Sequence, residues 1–380
     1  MVIGLAFCKQ EGQITVLHPT DSSFIGKSEL LSHRSQQLLF GQISRLPVNV
    51  TPRTWVKDLL ARAPFAHRSE LRSIWARLCR AYDYAVAVPV RNEDAFLPQM
   101  LEALDAAIEN NDSRGAFVFV LNNTDDGSAA LIQAWAITKQ REAVIVEVDF
   151  APAIRNAPHA RRLACDIAAQ CLNEGVILTT DADTMVGPEW ISQMVRSIDP
   201  GNALVCEDVQ LNDVELRKLP PIVERVGQAE RDYFAASERV WKRWSDGSSG
   251  AFAYRASGAS MAVAKSAYLA IGKLPVPPCG EDAALCKAVL AQGYRVAQLP
   301  NLGTITSARL EGRADGGCGE TLEQRSRSTD PFCDPALVPI ETLREHALRN
   351  ERPPLLGQPL RFSEVCIELQ RARDILGEAD

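Results

Sequence analysis

The chain has 380 residues, of which 46% are hydrophobic and 23% charged, and its formal net charge at pH 7 is -7. This length and composition fit one large α/β domain with appendages, or two smaller domains, and exclude wholesale disorder. The acidic charge argues against a broad basic face for nucleic acid but leaves room for a local positive pocket.

Residues 1–80 predict a largely helical cap on the domain that follows. One helix is predicted near Thr54–Arg62, after Pro52, and a second near Ser69–Tyr82. In the second segment the apolar side chains recur at the i, i+3, i+4, i+7, i+8 spacing of a helix, at Leu71, Ile74, Trp75, Leu78 and Cys79.

From residue 84 short apolar runs alternate with stretches of helical length. The runs are 85–88, 116–121, 143–148 and 176–178, and the intervening stretches are 93–110, 126–140 and 158–173. This alternation predicts βαβ units and a mostly parallel sheet with both faces covered, over a domain of residues 81–325. Ligands of such sheets bind at the carboxyl ends of the strands.

The remaining elements are a long helix predicted over Pro220–Trp244 and a C-terminal segment, residues 326–380. The latter is rich in proline and then amphipathic over Phe362–Leu376. We expect that final helix to pack back on the body of the protein, and a role in binding a partner stays open.

Polar residues follow three of the predicted strands. The first strand runs into Pro89–Glu93, the second into Asn122–Ser128, and the fourth into Thr179–Asp183. A single acidic turn is usually a helix cap, but three at one end of a sheet predict one polar rim.

Asp181 and Asp183 are the most informative pair on that rim. Two carboxylates directly after a buried strand suit a hard divalent cation such as Mg²⁺ or Mn²⁺, which takes one or two carboxylates and completes its shell with water and phosphate. The pattern D-x-D also occurs by chance, so its position carries the interpretation. Farther on, Glu281 and Asp282 follow Gly280 at a helix start; they are either a cap or a general base.

The ten cysteines are scattered without a C-x-x-C pair, and the five histidines are scattered as well. We expect buried reduced thiols and no zinc site. The start MVIGLAFCKQEG lacks the features of a signal peptide, and no apolar window predicts a transmembrane segment. These features favour a cytoplasmic protein.

The order of these motifs over residues 83–315 resembles the family 2 glycosyltransferases with a GT-A fold. Segments such as TTDADTMVGPEWI and TSARLEGRADGG are also similar to an uncharacterised bacterial subgroup of that family. The resemblance implies a Rossmann-like sheet flanked by helices, a nucleotide-diphosphate sugar as donor, and Mn²⁺ or Mg²⁺. The acceptor stays open among small molecules, glycans and lipid-linked compounds.

Carried over by position, the resemblance implies a role for each motif residue. Asp183 would bind the metal, Asp181 the metal or the ribose, and Asp282 would be the catalytic base beside Glu281. The residues implied for the nucleotide pocket are Pro89, Arg91, Glu93 and Asn122.

Two departures from the family pattern matter. Asn122 stands where the family usually has an aspartate, which leaves the base preference open. A Q-x-x-R-W motif is absent, which favours single addition over processive synthesis.

Arginines could bind the diphosphate, because a guanidinium contacts phosphate oxygens in a bidentate manner. The candidates are Arg161 and Arg162 near a helix start, and Arg309 and Arg313 beside Gly316. Surface positions are the alternative for each. The glycines suggest a loop that closes over the donor.

Acceptor contacts are expected in the segment that includes Trp241, Trp244 and Tyr254, although packing is the commoner role for such aromatics. One base without a second nucleophile predicts direct displacement with inversion. The alternatives are a sugar-nucleotide nucleotidyltransferase, against which the first strand lacks a glycine-rich loop, and a non-catalytic nucleotide-sugar-binding module.

Overall fold

The computed structural model describes residues 52–78, 82–198, 201–245, 255–311, 316–354 and 357–378. The strands are β1 Ser69–Arg77, β2 Tyr82–Val90, β3 Gly115–Asn122, β4 Ala143–Phe150, β5 Leu172–Thr179, β6 Thr184–Met185, β7 Asn202–Glu207, β8 Gln210–Leu211, β9 Met261–Ala264, β10 Arg295–Leu299 and β11 Ile305–Thr306.

The helices alternate with these strands over much of the chain. They are α1 Pro52–Leu60, α2 Leu97–Glu109, α3 Ser128–Thr138, α4 Ala157–Cys171, α5 Trp190–Ser197, α6 Asp213–Leu216, α7 Pro221–Trp244, α8 Lys265–Ala270, α9 Glu281–Ala291, α10 Cys318–Ser326, α11 Ile340–Leu348 and α12 Phe362–Leu376. A 3₁₀ turn, Pro152–Ile154, precedes α4.

Eight of the described strands form one sheet in the order β1-β4-β3-β2-β5-β9-β7-β10. Strands β4, β3, β2 and β5 run parallel, as do β7 and β10, whereas β1 and β9 run antiparallel to their neighbours. The predicted α/β class with a mostly parallel central sheet is therefore confirmed. A second sheet, β6-β11-β8, is small.

Helices cover both faces of the large sheet because its central strands are apolar on both sides. Within β2, Ala85 and Ala87 belong to the core shared with α4, whereas Val86 and Val88 belong to the core shared with α2. All four side chains are completely buried. A continuous apolar run of this kind is typical of a parallel sheet covered on both faces.

The helix predicted over Ser69–Tyr82 is wrong, because Ser69–Arg77 is the edge strand β1, paired antiparallel with β4. Its register shifts between Leu71 and Ser73. A bulge of this kind adds one residue, so Leu71 and Ile74, three apart, pack on the same core while Trp75 packs on the opposite one. The bulged strand therefore imitates the spacing of a helix. This strand joins the main sheet although it precedes residue 81, where the large domain was predicted to start.

The C-terminal helices form a separate layer around α7. Their shared core contains Tyr233, Val240 and Trp241 of α7, Leu343 of α11 and Val365 of α12. The predicted helices Pro220–Trp244 and Phe362–Leu376 are confirmed, and so is the packing of the last one on the body of the protein.

The cysteines of the described ranges are all unpaired. Five of them are buried, as expected, whereas Cys279, Cys318 and Cys366 are exposed. Within those same ranges, none of the helices combines the length and the apolar character that crossing a membrane requires.

Candidate functional site

A cleft of about 980 Å³ opens at the carboxyl ends of the parallel strands. Five parts of the fold supply the motif residues that line it: the end of β2 and the residues after it, the end of β3, the turn after β5, the start of α9 and the segment after β11. These residues are Pro89, Arg91, Glu93, Asn122, Asp181, Asp183, Glu281, Asp282 and Arg309. The structure thus brings these predicted site residues together. In particular, Asp183 and Asp282 line the same cleft although 99 positions separate them in the sequence.

Arg309 holds two of the carboxylates. Its Nη1 and Nη2 donate to the two carboxylate oxygens of Glu93 at 2.9 and 2.7 Å, and its Nη2 lies 2.8 Å from Oδ2 of Asp183. Its Cζ also lies 4.5 Å from the ring centroid of Phe96. Arg309 is therefore fixed in the cleft by a bidentate pair and by a ring, which excludes the simple surface alternative for this residue.

The small sheet places Arg309 beside Asp183. Strand β11 pairs antiparallel with β6, so that Thr306 lies opposite Thr184, and the hydroxyl of Thr184 donates to that of Thr306 at 2.8 Å. Asp183 immediately precedes β6, and Arg309 follows β11 by three residues. A pairing between segments about 120 residues apart thus builds this end of the cleft.

Arg161 holds the other acidic pair. It is buried in the first turns of α4, and its Nη2 donates to Oδ1 of Asp181 at 2.6 Å while its Nε donates to Oε1 of Glu281 at 2.9 Å. Its Nη1 donates to the hydroxyl of Thr179 and to the carbonyl of Gly258, both at 2.8 Å. Burial lowers the pKa of this guanidinium, but Asp181 and Glu281 more than offset that effect and raise it.

Arg162, the other arginine of this helix, does not line the cleft. Its Nε donates to Oδ2 of Asp166 at 3.0 Å, and its side chain also contacts the carbonyl of Leu274. The hydroxyl of Tyr268 donates to the same carboxylate at 2.7 Å. The expected contact of Arg162 with the donor is therefore not supported, and Arg161 occupies the position in the cleft. The i, i+4 spacing of Arg162 and Asp166, typical of a pair within one helix, could have distinguished the two arginines.

Asp282 is held by backbone amides. The N–H of Gly258 donates to its Oδ2 at 3.0 Å and the N–H of Ala283 to its Oδ1 at 2.7 Å. Burial, and next the charge of Glu281, raise the pKa of Asp282 above its ordinary value. A fixed carboxylate with a raised pKa is a stronger proton acceptor than a surface aspartate.

The carboxylates around Asp183 suit a divalent cation. Burial, then the charge of Asp181, raise the pKa of Asp183 to about 7, Glu93 adds to this rise, and Arg309 only partly opposes it. A cation would relieve this crowding of negative charge, and carboxylate oxygens are the donors that Mg²⁺ and Mn²⁺ prefer. No group of three or more candidate ligands lies together within the described ranges, so phosphate and water oxygens would complete the shell.

Asn122 and Arg313 are two further residues that the sequence predicted for the nucleotide site. Asn122 is buried at the end of β3, and its side-chain Nδ2 has no hydrogen-bond partner within the described part of the chain. It lines the cleft, so a ligand is the obvious acceptor for this donor group. Arg313 lies outside the described residues.

The two tryptophans expected to contact the acceptor do not line the cleft. Trp241 is buried in the core around α7, and Trp244 packs against the same core. Tyr254 lies outside the described ranges. Packing is therefore the role of the two tryptophans.

Comparison with known proteins finds a family model and several relatives that match part of this chain. Residues 85–259 match the model of Glycosyl transferase family 2. Among curated proteins, an undecaprenyl-phosphate 4-deoxy-4-formamido-L-arabinose transferase of Pseudomonas syringae pv. syringae (strain B728a) is 28% identical over 121 residues, which are 32% of this chain and 34% of that protein.

The protein of the same name from Shewanella sediminis (strain HAW-EB3) is 24% identical over 165 residues, 42% of this chain and 48% of that protein. The chain thus spans between a third and a half of the length of these curated relatives.

Solved structures show a more distant likeness. The mannosyltransferase PcManGT from Pyrobaculum calidifontis, in complex with GDP-Man and Mn²⁺, has 16% identity and a TM-score of 0.45, over 91% of this chain and 83% of that one. Glucosyl-3-phosphoglycerate synthase from Mycobacterium tuberculosis, in complex with phosphoglyceric acid, has 14% identity and a TM-score of 0.38, over 64% and 80%. At these scores no residue's role follows from either structure.

Proposed function

We propose that this chain, whose residues 85–259 match the model of Glycosyl transferase family 2, transfers a sugar from a nucleotide-diphosphate donor to an acceptor hydroxyl. The observation that carries the proposal is that Asp183 and Asp282 line one cleft at the carboxyl ends of the parallel strands. Asp183 is suited to binding a cation and Asp282 to accepting a proton, and the transfer requires both.

We assign the nucleotide-sugar donor to the end of the cleft that is formed by the polar residues at the strand ends. Asn122 has an unpaired Nδ2 there, which can donate to a carbonyl of the base or to the ribose. Arg309 pairs with Asp183, and a guanidinium suits the oxygens of a diphosphate. A divalent cation bound by Asp183 and Asp181 would neutralise negative charge that develops on the departing nucleotide diphosphate.

Asp282 is assigned as the general base. It accepts the proton of the acceptor hydroxyl while the oxygen of that hydroxyl bonds to the anomeric carbon, and the bond from that carbon to the diphosphate breaks. With no second nucleophile proposed, the displacement is direct and inverts the anomeric configuration. The two backbone amides that bind Asp282 keep the carboxylate in place, and its raised pKa strengthens it as a proton acceptor.

Glu281 is assigned a supporting role. Its carboxylate accepts from buried Arg161, and its charge contributes to the raised pKa of Asp282. We propose that Glu281 tunes and positions Asp282 rather than taking the proton itself.

Release of nucleotide diphosphate tests the proposal. The protein is incubated with UDP- and GDP-sugars and Mn²⁺, with and without candidate acceptors, and the release rate is compared between the parent, Asp282→Asn and Asp374→Asn. The first variant keeps the size of the side chain and removes the base, and the second changes an exposed aspartate on α12.

We expect Asp282→Asn to lower the rate on the order of 10²- to 10⁴-fold. Stabilisation against heat by the donor should persist, because ligand binding to the native state raises the melting temperature. Asp374→Asn should behave as the parent. An Asp282→Asn variant that works at the parental rate would refute the assignment of the base, and no diphosphate release by the parent with any donor would favour a non-catalytic binding module.

A further inference from the structure

One part of the cleft wall takes no part in the chemistry above. It is formed by the segment after α10 together with the residue before α12, and its lining residues are Ser328, Asp330, Phe332, Asp334 and Arg361. Resting on the proposed function, we propose that this wall is the acceptor subsite and that it binds a neutral saccharide. The wall is called the Phe332 wall below.

Phe332 presents a large apolar surface inside a cleft. Its side chain is 53% exposed, whereas most of the large apolar side chains in the described residues are buried. The guanidinium of Arg361 lies over the ring, with its Cζ 4.4 Å from the ring centroid. An aromatic ring held at the surface of a concave site is a common means of binding an amphipathic ligand.

The backbone fixes this ring in place. Phe332 forms an isolated antiparallel bridge with Arg361. On either side of the bridge, the N–H of Cys333 donates to the carbonyl of Leu360 at 2.7 Å, and the N–H of Phe362 donates to the carbonyl of Pro331 at 2.9 Å. The position of Phe332 is therefore built into the fold, because the two hydrogen bonds of this bridge hold its backbone.

The polar groups of the Phe332 wall are also fixed. Asp330 accepts from the N–H and the hydroxyl of Ser363 at 2.8 and 2.9 Å, and Asp334 accepts from the N–H of Ala336 at 2.8 Å. Nη1 of Arg361 donates to the carbonyl of Asp330 at 3.1 Å. The ring is thus flanked by carboxylate acceptors and by a guanidinium donor in defined positions.

This combination matches the chemistry of a sugar ring. A pyranose presents an apolar C–H face, which can cover an aromatic ring, and a polar edge of hydroxyls that both donate and accept hydrogen bonds. Carboxylates accept from such hydroxyls and a guanidinium donates to them. The Phe332 wall offers one aromatic surface and both kinds of hydrogen-bonding group.

The charge of the wall argues for a neutral ligand. One arginine, Arg361, stands against two aspartates, Asp330 and Asp334. A phosphate or carboxylate group would meet the repulsion of both carboxylates, whereas a neutral polyol can use all three side chains. The position in the same cleft as Asp282 makes the bound sugar the natural source of the hydroxyl that is deprotonated.

Binding of neutral glycosides to the intact chain, without nucleotide, tests the proposal. Saturation-transfer NMR is run with the methyl glycosides of glucose, galactose, mannose and N-acetylglucosamine, and with glucose 1-phosphate as the anionic probe. The variants are Phe332→Ala and Arg361→Ala. The matched control is Tyr294→Ala, which removes an exposed aromatic ring outside the cleft, and circular dichroism confirms that each variant is folded.

We expect at least one neutral glycoside to bind, about tenfold more weakly to Phe332→Ala, which corresponds to the loss of about 1.4 kcal/mol of stacking and apolar contact. Arg361→Ala should weaken the same glycoside, and Tyr294→Ala should not. Binding by none of the glycosides, equal binding to the parent and Phe332→Ala, or preference for glucose 1-phosphate through Arg361 would each overturn the proposal.

Nucleotide release from the donor is measured in parallel with water as the acceptor. Tyr294→Ala should keep the parental rate there, because Tyr294 lies outside the cleft. Glycoside binding without any nucleotide release by the parent would refute the proposed function and leave the saccharide site intact. Nucleotide release with no glycoside binding would refute only the subsite.

Discussion

Arg161 is the residue whose replacement tests the structure of the site most directly. Its side chain is 4% exposed, and its guanidinium bridges two carboxylates, of which the Glu281 side chain is 10% and the Asp181 side chain 33% exposed. In Arg161→Met the side chain keeps much of its length, but Glu281 loses its cation inside the protein. The variant also loses the hydrogen bonds to Thr179 and Gly258.

Removing one partner of a buried ion pair lowers the free energy of unfolding by about 3–5 kcal/mol. Because Asp181 is partly solvated, its share is screened, so we expect about 3 kcal/mol, the lower end of that range. The fall in melting temperature is this loss divided by the unfolding entropy, about 2.1 cal/mol/K per residue, so roughly 4 °C is expected for a chain of 380 residues. The donor-dependent activity should fall as well, since Asp181 and Glu281 are no longer held.

The assay is thermal unfolding followed by circular dichroism, with Arg161→Lys and Arg155→Met as companions. Arg161→Lys keeps the charge without the planar fork and should fall between the parent and Arg161→Met. Arg155 is exposed, so its replacement should change the melting temperature by little. An Arg161→Met variant as stable as the parent would show that the buried bridge does not stabilise the site.

Gly258, Asp282 and Arg162 each give a further prediction. Gly258→Ala would place a Cβ 2.5 Å from Nη2 of Arg161, so it should lower stability by about 1–3 kcal/mol in a denaturant titration; an unchanged midpoint would contradict the contact. The proposed base, Asp282, must be ionised to accept a proton and its pKa is raised, so kcat/KM should fall as the pH drops, at a pH above the pKa of an ordinary aspartate. Glu281→Gln removes a negative charge that raises the pKa of Asp282, so this fall in kcat/KM should move to lower pH. A fall that stays at the same pH or moves to higher pH would contradict the effect of Glu281 on Asp282. Arg162→Met should lower the melting temperature while leaving donor affinity unchanged, and a loss of affinity would restore Arg162 to the site.

Much of the fold could be predicted because it depends on local patterns of apolar and polar residues. The central strands are continuous apolar runs, and the helices between them have the expected length, so the α/β class was accessible from the sequence. Strand β1 was not, because its bulge spaces the apolar side chains as a helix does and only its pairing with β4 distinguishes the two. The partner strand lies about 70 residues farther on, beyond the reach of any local pattern.

The sequence by itself determined which residues could carry the chemistry, because carboxylates after apolar runs mark the strand ends whatever the rest of the chain does. Tertiary structure decided which of them meet. The pairing of β6 with β11 placed Arg309 against Asp183, and the packing of α4 turned Arg161 into the cleft and Arg162 away from it. The Phe332 wall also depends on tertiary structure. Its ring and its guanidinium belong to two segments that come into contact because the last helix packs on the body of the protein. Contacts between distant segments depend on the packing of the whole core, and no local pattern of residues contains that information.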